Sequence, residues 1–547
     1  MFLLSCSGGS SDGVGKIDTT AVETCYDVQI TKAGVNQTEN ICTTRENGRI
    51  NGLGIARFIK FNVASSSVVS IRATRTSGLN PADPDIFIYK NGLEVANAES
   101  TRANSESLSV TLQPGNHVVE INEYLYSVVN AKIQQNIYQQ KSTSNVQLQA
   151  TATPVSDCTT GDDSTVSGNL TFDRVNHSGV SLDYSNISVL PIQQALVEVI
   201  CNGGVYSSVS SDSAGDYALN FPNNQASFVR VKAQMLNGSV WDFSVVDNTV
   251  LDNTGQPLKP VYAMDGSVFT ASTDLIRNLH AASGWGVSNY SGPRVAGPFA
   301  ILDSVRKAKD KILSVANVSF PALTINWSVD NSTATIGGSF YDGEEIFILG
   351  KENNDTDEYD EHVIIHEWGH YFEAKLSRTD SIGGPHSDGD ILDIRVAFGE
   401  GFGNAFSAMV TNDPSYIDTV GRQQENGFVI NMEVNNCENA GWYSECSVQS
   451  ILYDLYDSNS DNDNPDSLNF DFSRIYNVLV GAQKNTEAMT SIFSFIKHFK
   501  DQNASSSNAI DLLLNAQSID SVGDVYGSTQ MSLNPGATNQ LPIYQNY

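Results

Sequence analysis

His366 and His370 stand four residues apart in "VIIHEWGHYFEAKLSR", residues 363–378, with Glu367 between them, in a chain that has eight histidines. On a helix that spacing puts both imidazoles on one face, one turn apart, close enough to bind one zinc ion at ~2.0–2.1 Å. Glu367 lies beside that face. Its carboxylate can take a proton from an activated water without being a ligand, which is the chemistry an H-E-x-x-H pattern encodes. Val363, Ile364, Phe372 and Leu376 give the same helix an apolar side to bury.

A catalytic zinc site needs a third protein ligand and an open position. "AFGEGFGNAFSAM", residues 397–409, offers Glu400 on a second apolar helix, where Gly399 and Gly401 are expected to permit close approach. Rival third ligands stand in "SIGGPHSDGDILD", residues 381–393: His386, Asp388 and Asp390. His362 lies one turn before His366, but its use would displace Glu367 from beside the water. It reads as a supporting or solvated histidine.

Together the HEWGH and GEGF segments resemble the gluzincin metallopeptidases, and the GEG element with its spacing looks most like the fungalysin branch of the thermolysin-like group. The likeness is confined to residues 330–480. It implies a zinc-dependent endopeptidase acting on a peptide or protein substrate, with Glu400 as third ligand and Glu367 as general base. A metzincin would need glycine three residues after His370, where this chain has Glu373. Thermolysin-like enzymes usually place an aspartate four residues after the ligand glutamate to orient a histidine. Here that place is Asn404, whose amide oxygen could accept the same imidazole N–H with less charge support. Gluzincins stabilise the oxyanion with a downstream tyrosine or histidine, which points to Tyr443.

At 547 residues the chain exceeds one hydrophobic core, and 42 glycines with only 17% charged residues read as strand-and-turn architecture over much of the length. The expected fold class is multidomain, two all-β sandwiches followed by an α+β zincin-type metallopeptidase domain. In residues 19–150, "RFIKFNV" puts Ile59, Phe61 and Val63 on one face and "SVVSIRA" does the same with Val69, Ile71 and Ala73; turns follow at Asn91-Gly92 and Pro114-Gly115. This part resembles the bacterial pre-peptidase C-terminal domain. Residues 155–262 form a second β unit, whose Ala195, Val197 and Val199, then Asp212, Gly215 and Tyr217, resemble the carboxypeptidase regulatory-like sandwich. Neither unit carries a catalytic cluster, so both are read as spacers or substrate-presenting modules. Helical spacing begins near residue 271, in "STDLIRNLHAASGW" and "GPFAILDSVRKAKDKILSVA", which opens a metallopeptidase domain over 263–525. Residues 526–547 read as a C-terminal tail.

The net charge of −31 argues against nucleic acid as a partner. Six cysteines fall in local pairs, Cys25 with Cys42, Cys158 with Cys201 and Cys437 with Cys446, which fits disulfides and an oxidising compartment. Leu3-Leu4-Ser5-Cys6 resembles a bacterial lipobox, so residues 1–18 read as a signal remnant and tether with Cys6 as the lipidated residue. The resemblance implies a bacterial envelope (outer-membrane lipoprotein) or extracellular location, with membrane contact through a lipid anchor only. In "DSNSDNDNPDS", from Asp457, the spacing is that of the start of a calcium (Ca2+) loop, but Asn462 and Leu468 stand where glycine and glutamate belong, and a solvated turn fits as well. The competing reading of the whole is a surface adhesion or substrate-binding protein with a peptidase-like domain that has lost activity. Oligomeric state is not legible from these residues.

Overall fold

The computed structural model describes residues 22–32, 34–45, 51–100, 104–123, 158, 162–387, 389–433, 436–457, 468–532 and 541–546. Cys6 and its lipobox, Asp388, and residues 458–467 of the acidic turn lie outside them. The chain is β-rich in its N-terminal half and helical in its C-terminal region. No helix among the described residues is long and apolar enough to cross a membrane.

The alternating runs of the first unit become strands because one face of each is buried. Ile59, Phe61 and Val63 of Ala56–Val63, and Val69, Ile71 and Ala73 of Ser67–Ser77, all enter one core. That core lies between two sheets. One runs Val35–Arg45, Val22–Lys32, Ser67–Ser77, Ser105–Leu112; the other runs Tyr544–Asn546, Ala56–Val63, Gly115–Glu123, Pro84–Lys90, Leu93–Ala98. The Asn91-Gly92 turn has positive φ at both residues, 51° and 73°, the conformation a two-residue hairpin needs. The chain's last strand is part of this unit. Tyr544 is buried, stacks on Phe58 at 5.2 Å, and its hydroxyl accepts the Met489 N–H at 3.1 Å. Residues 544–546 are thus docked backbone, not a free tail.

In the second unit Ala195, Val197 and Val199 are fully buried. Gly215 has φ +80°, and a Cβ there would meet the Leu170 carbonyl at 2.4 Å, so the turn requires glycine. All three disulfides pair as expected from locality: Cys25–Cys42, Cys158–Cys201 and Cys437–Cys446. The helix expected from residue 271 is absent. Leu275–Ile276 and Leu279–Ala281 are short strands parallel to Asp163–Ser178. The polar residues at the same spacing explain the difference. Asp274 and Asn278 accept the Thr165 and Asn169 backbone N–H groups at 2.8 and 3.0 Å, and so satisfy the edge of that strand instead of a helix.

The first long helix is Ala296–Leu313, which starts one residue before the second predicted segment and ends inside it. It packs on a mixed sheet ordered Gln234–Asn237, Trp241–Asp247, Leu323–Trp327, Ile346–Ile348, Phe340–Tyr341. The chain therefore crosses the 262/263 division twice. Strands before it join the later sheet, and Ala263–Asp265 after it pairs back with Ser227–Lys232. One hydrophobic core runs through both parts.

Strand Asp355–Thr356 and the turn Asp357–Tyr359 lead to Asp360, immediately before the helix that carries His366. Asp360 accepts the Thr419 N–H and hydroxyl at 2.8 Å each, and stands 2.8 Å from His177 Nε2. Asp355, Asp357 and Asp418 are buried beside it, with carboxylate oxygens within 4.8 Å of one another. Burial, and then the Asp357 charge, pushes the Asp355 carboxyl well up. Burial, and then Asp360, raises Asp357 from 3.8 to about 8. A carboxyl that holds its proton more tightly when folded contributes stability at low pH and loses it as pH rises towards the folded value. With chelator present, the melting temperature should fall from about pH 4 to about pH 8, and Asp357→Asn should flatten that slope. Calorimetry across this range checks it; an unchanged slope in the variant would assign the dependence to other groups.

Candidate metal centre

Helix Glu361–Lys375 carries the motif, and its apolar residues anchor it: Val363, Ile364, Trp368 and Phe372 are buried. Helix Ile394–Thr411 crosses it where both helices have glycine. A Cβ on Gly369 would stand 3.3 Å from Gly403 Cα, and one on Gly403 would lie 2.8 Å from the His366 ring. The close approach expected of Gly399 and Gly401 is thus made by Gly403. Gly401 instead faces Val448 of helix Glu445–Asp454, where a Cβ would come within 2.6 Å, and Gly399 meets nothing nearer than 3.6 Å.

At this crossing three side chains converge. His366 Nε2 and His370 Nε2 are 3.0 Å apart, and Glu400 Oε2 is 3.2 Å from each. Ligands ~2.0–2.1 Å from a tetrahedral zinc sit about 3.3 Å from one another, so two imidazoles and a carboxylate at this separation fit that ion. The tautomer fits as well. His366 Nδ1 donates to Asn404 Oδ1 at 2.7 Å, which leaves Nε2 with its lone pair towards the site. Asn404 is oriented in turn, its Nδ2 donating to Gln449 Oε1 at 2.7 Å. Burial opposes ionisation of Glu400, but His386 and His370 outweigh it and hold the carboxyl well below its ordinary range.

Glu367 is buried beside the histidines and accepts the Tyr341 N–H at 2.8 Å. Burial raises its carboxyl, an effect that His366 partly offsets. Tyr341 belongs to strand Phe340–Tyr341, so the sheet that precedes the motif also aims its glutamate. His362 is not in the cluster. Its Nδ1 lies 2.9 Å from the Ser407 hydroxyl, and burial lowers it to about 4, so it is a neutral interior group.

Of the rival ligands, Asp390 accepts the Ser387 N–H at 2.9 Å and turns its own loop. His386 does reach the site. Its Nε2 is 3.2 Å from Glu400 Oε2 and its Nδ1 2.7 Å from Glu445 Oε2. Tyr443 turns its hydroxyl back to the Ala440 carbonyl at 3.3 Å. The supports that sequence reasoning missed, Glu445 and Gln449, sit four apart on helix Glu445–Asp454. Two polar residues at that spacing, on one face of a helix whose Val448, Ile451 and Leu452 are buried, were the available signal.

The family model for the Mycolysin C-terminal domain matches residues 316–516, a span that contains the helices carrying His366, His370 and Glu400 and suggests a peptidase-related protein. No curated protein matches the chain. Among solved structures, one reported as "Structural insight into host cell surface retention of a 1.5-MDa bacterial ice-binding adhesin" is similar at 9% identity and a TM-score of 0.11, covering 47% of this chain and 87% of that one.

Because Asn404 fixes the ring that must offer Nε2, Asn404→Ala should weaken zinc binding about 10- to 100-fold. Competition against a chromogenic chelator measures this; unchanged affinity would mean that His366 is oriented without the amide.

Proposed function

We propose that this chain is a zinc-dependent endopeptidase, with two β-sandwiches ahead of a zincin-type domain. The observation that carries the reading is the convergence of His366, His370 and Glu400 on one point with Glu367 beside it. The family match over 316–516 supports the peptidase assignment independently.

His366, His370 and Glu400 would hold a zinc ion, which would supply the Lewis acidity for activating water and polarising a substrate carbonyl. The protein's own side chains do the remaining work. Glu367, held on the Tyr341 N–H, receives the proton of the attacking water and delivers it to the leaving amine. Asn404 keeps His366 in the ligating tautomer. For the developing oxyanion two donors compete, and the geometry favours His386 over Tyr443. The His386 ring is anchored on Glu445 with Nε2 turned to Glu400 in the ligand set, whereas the Tyr443 hydroxyl turns away to the Ala440 carbonyl. Strand Phe340–Tyr341 lies next to Glu367, where an extended substrate backbone could add to the sheet.

Export to a bacterial envelope, with Cys6 as the lipid attachment point, fits the three disulfides. A calcium ion in the turn that begins at Asp457 belongs to the same reading as a supporting ion only.

Glu367→Gln should keep zinc near one per chain by metal analysis while slowing cleavage of a denatured protein about 100- to 10,000-fold. A wild-type chain that binds zinc and cleaves nothing would favour the adhesion reading, and a Glu367→Gln variant as active as wild type would remove the mechanism.

A further inference from the structure

The chain between the two ligand-bearing helices presents His386, and the first β unit grips that loop on both sides of it. Asn51 Nδ2 donates to the Pro385 carbonyl at 3.1 Å, one residue from His386. Gly52 forms an antiparallel bridge with Leu392, Leu53 N donates to Ile391 O at 3.1 Å, and Asp393 N donates to Asn51 O at 2.8 Å. Asn51 is 0% exposed. Behind this pairing Arg395 holds Glu120 of strand Gly115–Glu123 through two bonds, 2.9 and 3.2 Å, and Asp393 at 2.9 Å. All three charged groups are buried. Asp393 also caps the helix that carries Glu400, its carboxylate accepting the Arg395 N–H at 3.0 Å.

A spacer domain needs only a surface contact with its neighbour. Here the first unit pairs backbone with an active-site loop, and it completes a buried ion triad at the start of a ligand helix. Docking alone is already secured by Phe58 and Val118 in the main core and by the Tyr544 strand. The Asn51 amide does something further. It holds a carbonyl next to His386 in a stretch of loop that has no regular structure of its own.

We infer that the first β unit is a working part of the active site, with Asn51 as a positioning residue that keeps the 385–387 stretch where His386 faces Glu400. The role of His386 in turnover rests on the peptidase reading; the clamp on the loop does not.

Two measurements separate these. In the metal-free full-length protein, hydrogen exchange of the 386–393 amides should be at least about tenfold faster in Asn51→Ala than in wild type, with amides of the 363–375 helix unchanged. Asn51→Leu, which keeps the size and loses the donor without burying a charge, should do the same and serves if the alanine variant folds poorly. In the zinc-loaded enzyme Asn51→Ala should lower kcat about 10- to 100-fold with a smaller change in KM. His386→Ala should lower kcat about 100- to 1000-fold, and the double variant should be no slower than His386→Ala alone. Wild-type exchange in both Asn51 variants, or penalties for Asn51 and His386 that add, would overturn the inference. Full kcat in His386→Ala beside an inactive Glu367→Gln would overturn it while leaving the peptidase reading intact. If Glu367→Gln cleaves as wild type does, that reading fails and the exchange result alone decides the clamp.

Discussion

Two glycines determine how near the two central helices come, and the site exists only because they come that near. A methyl group on Gly403 would clash with the His366 ring, and one on Gly369 would press on the opposite backbone. With both absent, Glu400 can reach across to the Nε2 atoms of His366 and His370. The apolar residues around the crossing then do the holding. Trp368 and Phe372 pack on Phe402 and Phe406 across the two helices with centroids 5.8–6.0 Å apart, and all four are fully buried. Close packing of this kind resists a shift of even one methylene, so the crossing that carries His366, His370 and Glu400 is fixed by its packing.

What the sequence disclosed follows the range of the interaction that encodes it. His366, Glu367 and His370 are fixed by helical spacing alone, and the buried faces of Ala56–Val63 and Ser67–Ser77 by a two-residue alternation. The disulfides were legible because each pair is local. Residues 271–285 misled because Leu275, Ile276 and Leu279 carry a spacing that suits a helix or two short strands, and the choice was made by a distant strand edge that needed Asp274 and Asn278. The 262/263 division failed to mark a break in the sheets for a similar reason. Trp241–Asp247 lies within the 155–262 unit in sequence, but its parallel partner Leu323–Trp327 stands some eighty residues later. His386 was visible as a candidate and its partner was not, since Glu445 lies 59 residues further on.

The polar scaffolding around the ligands gives several buried groups a defined partner. Glu367 rests on a backbone N–H of the sheet, His386 on Glu445, His366 on Asn404, and Asn404 on Gln449. Leaving any of these groups unpaired in a site this dry would cost about 1–3 kcal/mol. Each chain of bonds therefore specifies one arrangement of the site.

The same economy of charge explains why an amide stands at 404. Glu367, Glu373, Glu400 and Glu445 are already buried here, at 2%, 1%, 6% and 4% exposure, against His366, His370 and His386. Burial raises Glu373 to about 7, against the pull of the nearby His370, so even that carboxylate gives up part of its charge near neutrality. A further aspartate next to His366 would add one more desolvated anion, and a buried charge costs several kcal/mol unless it is matched. Asn404 supplies the acceptor without the charge. An amide could turn either end towards the ring, but its NH2 group needs an acceptor of its own, and Gln449 Oε1 provides it on the far side. The carbonyl is thereby left facing His366, the ring must carry its proton on Nδ1, and Nε2 is the only atom it can offer to the site.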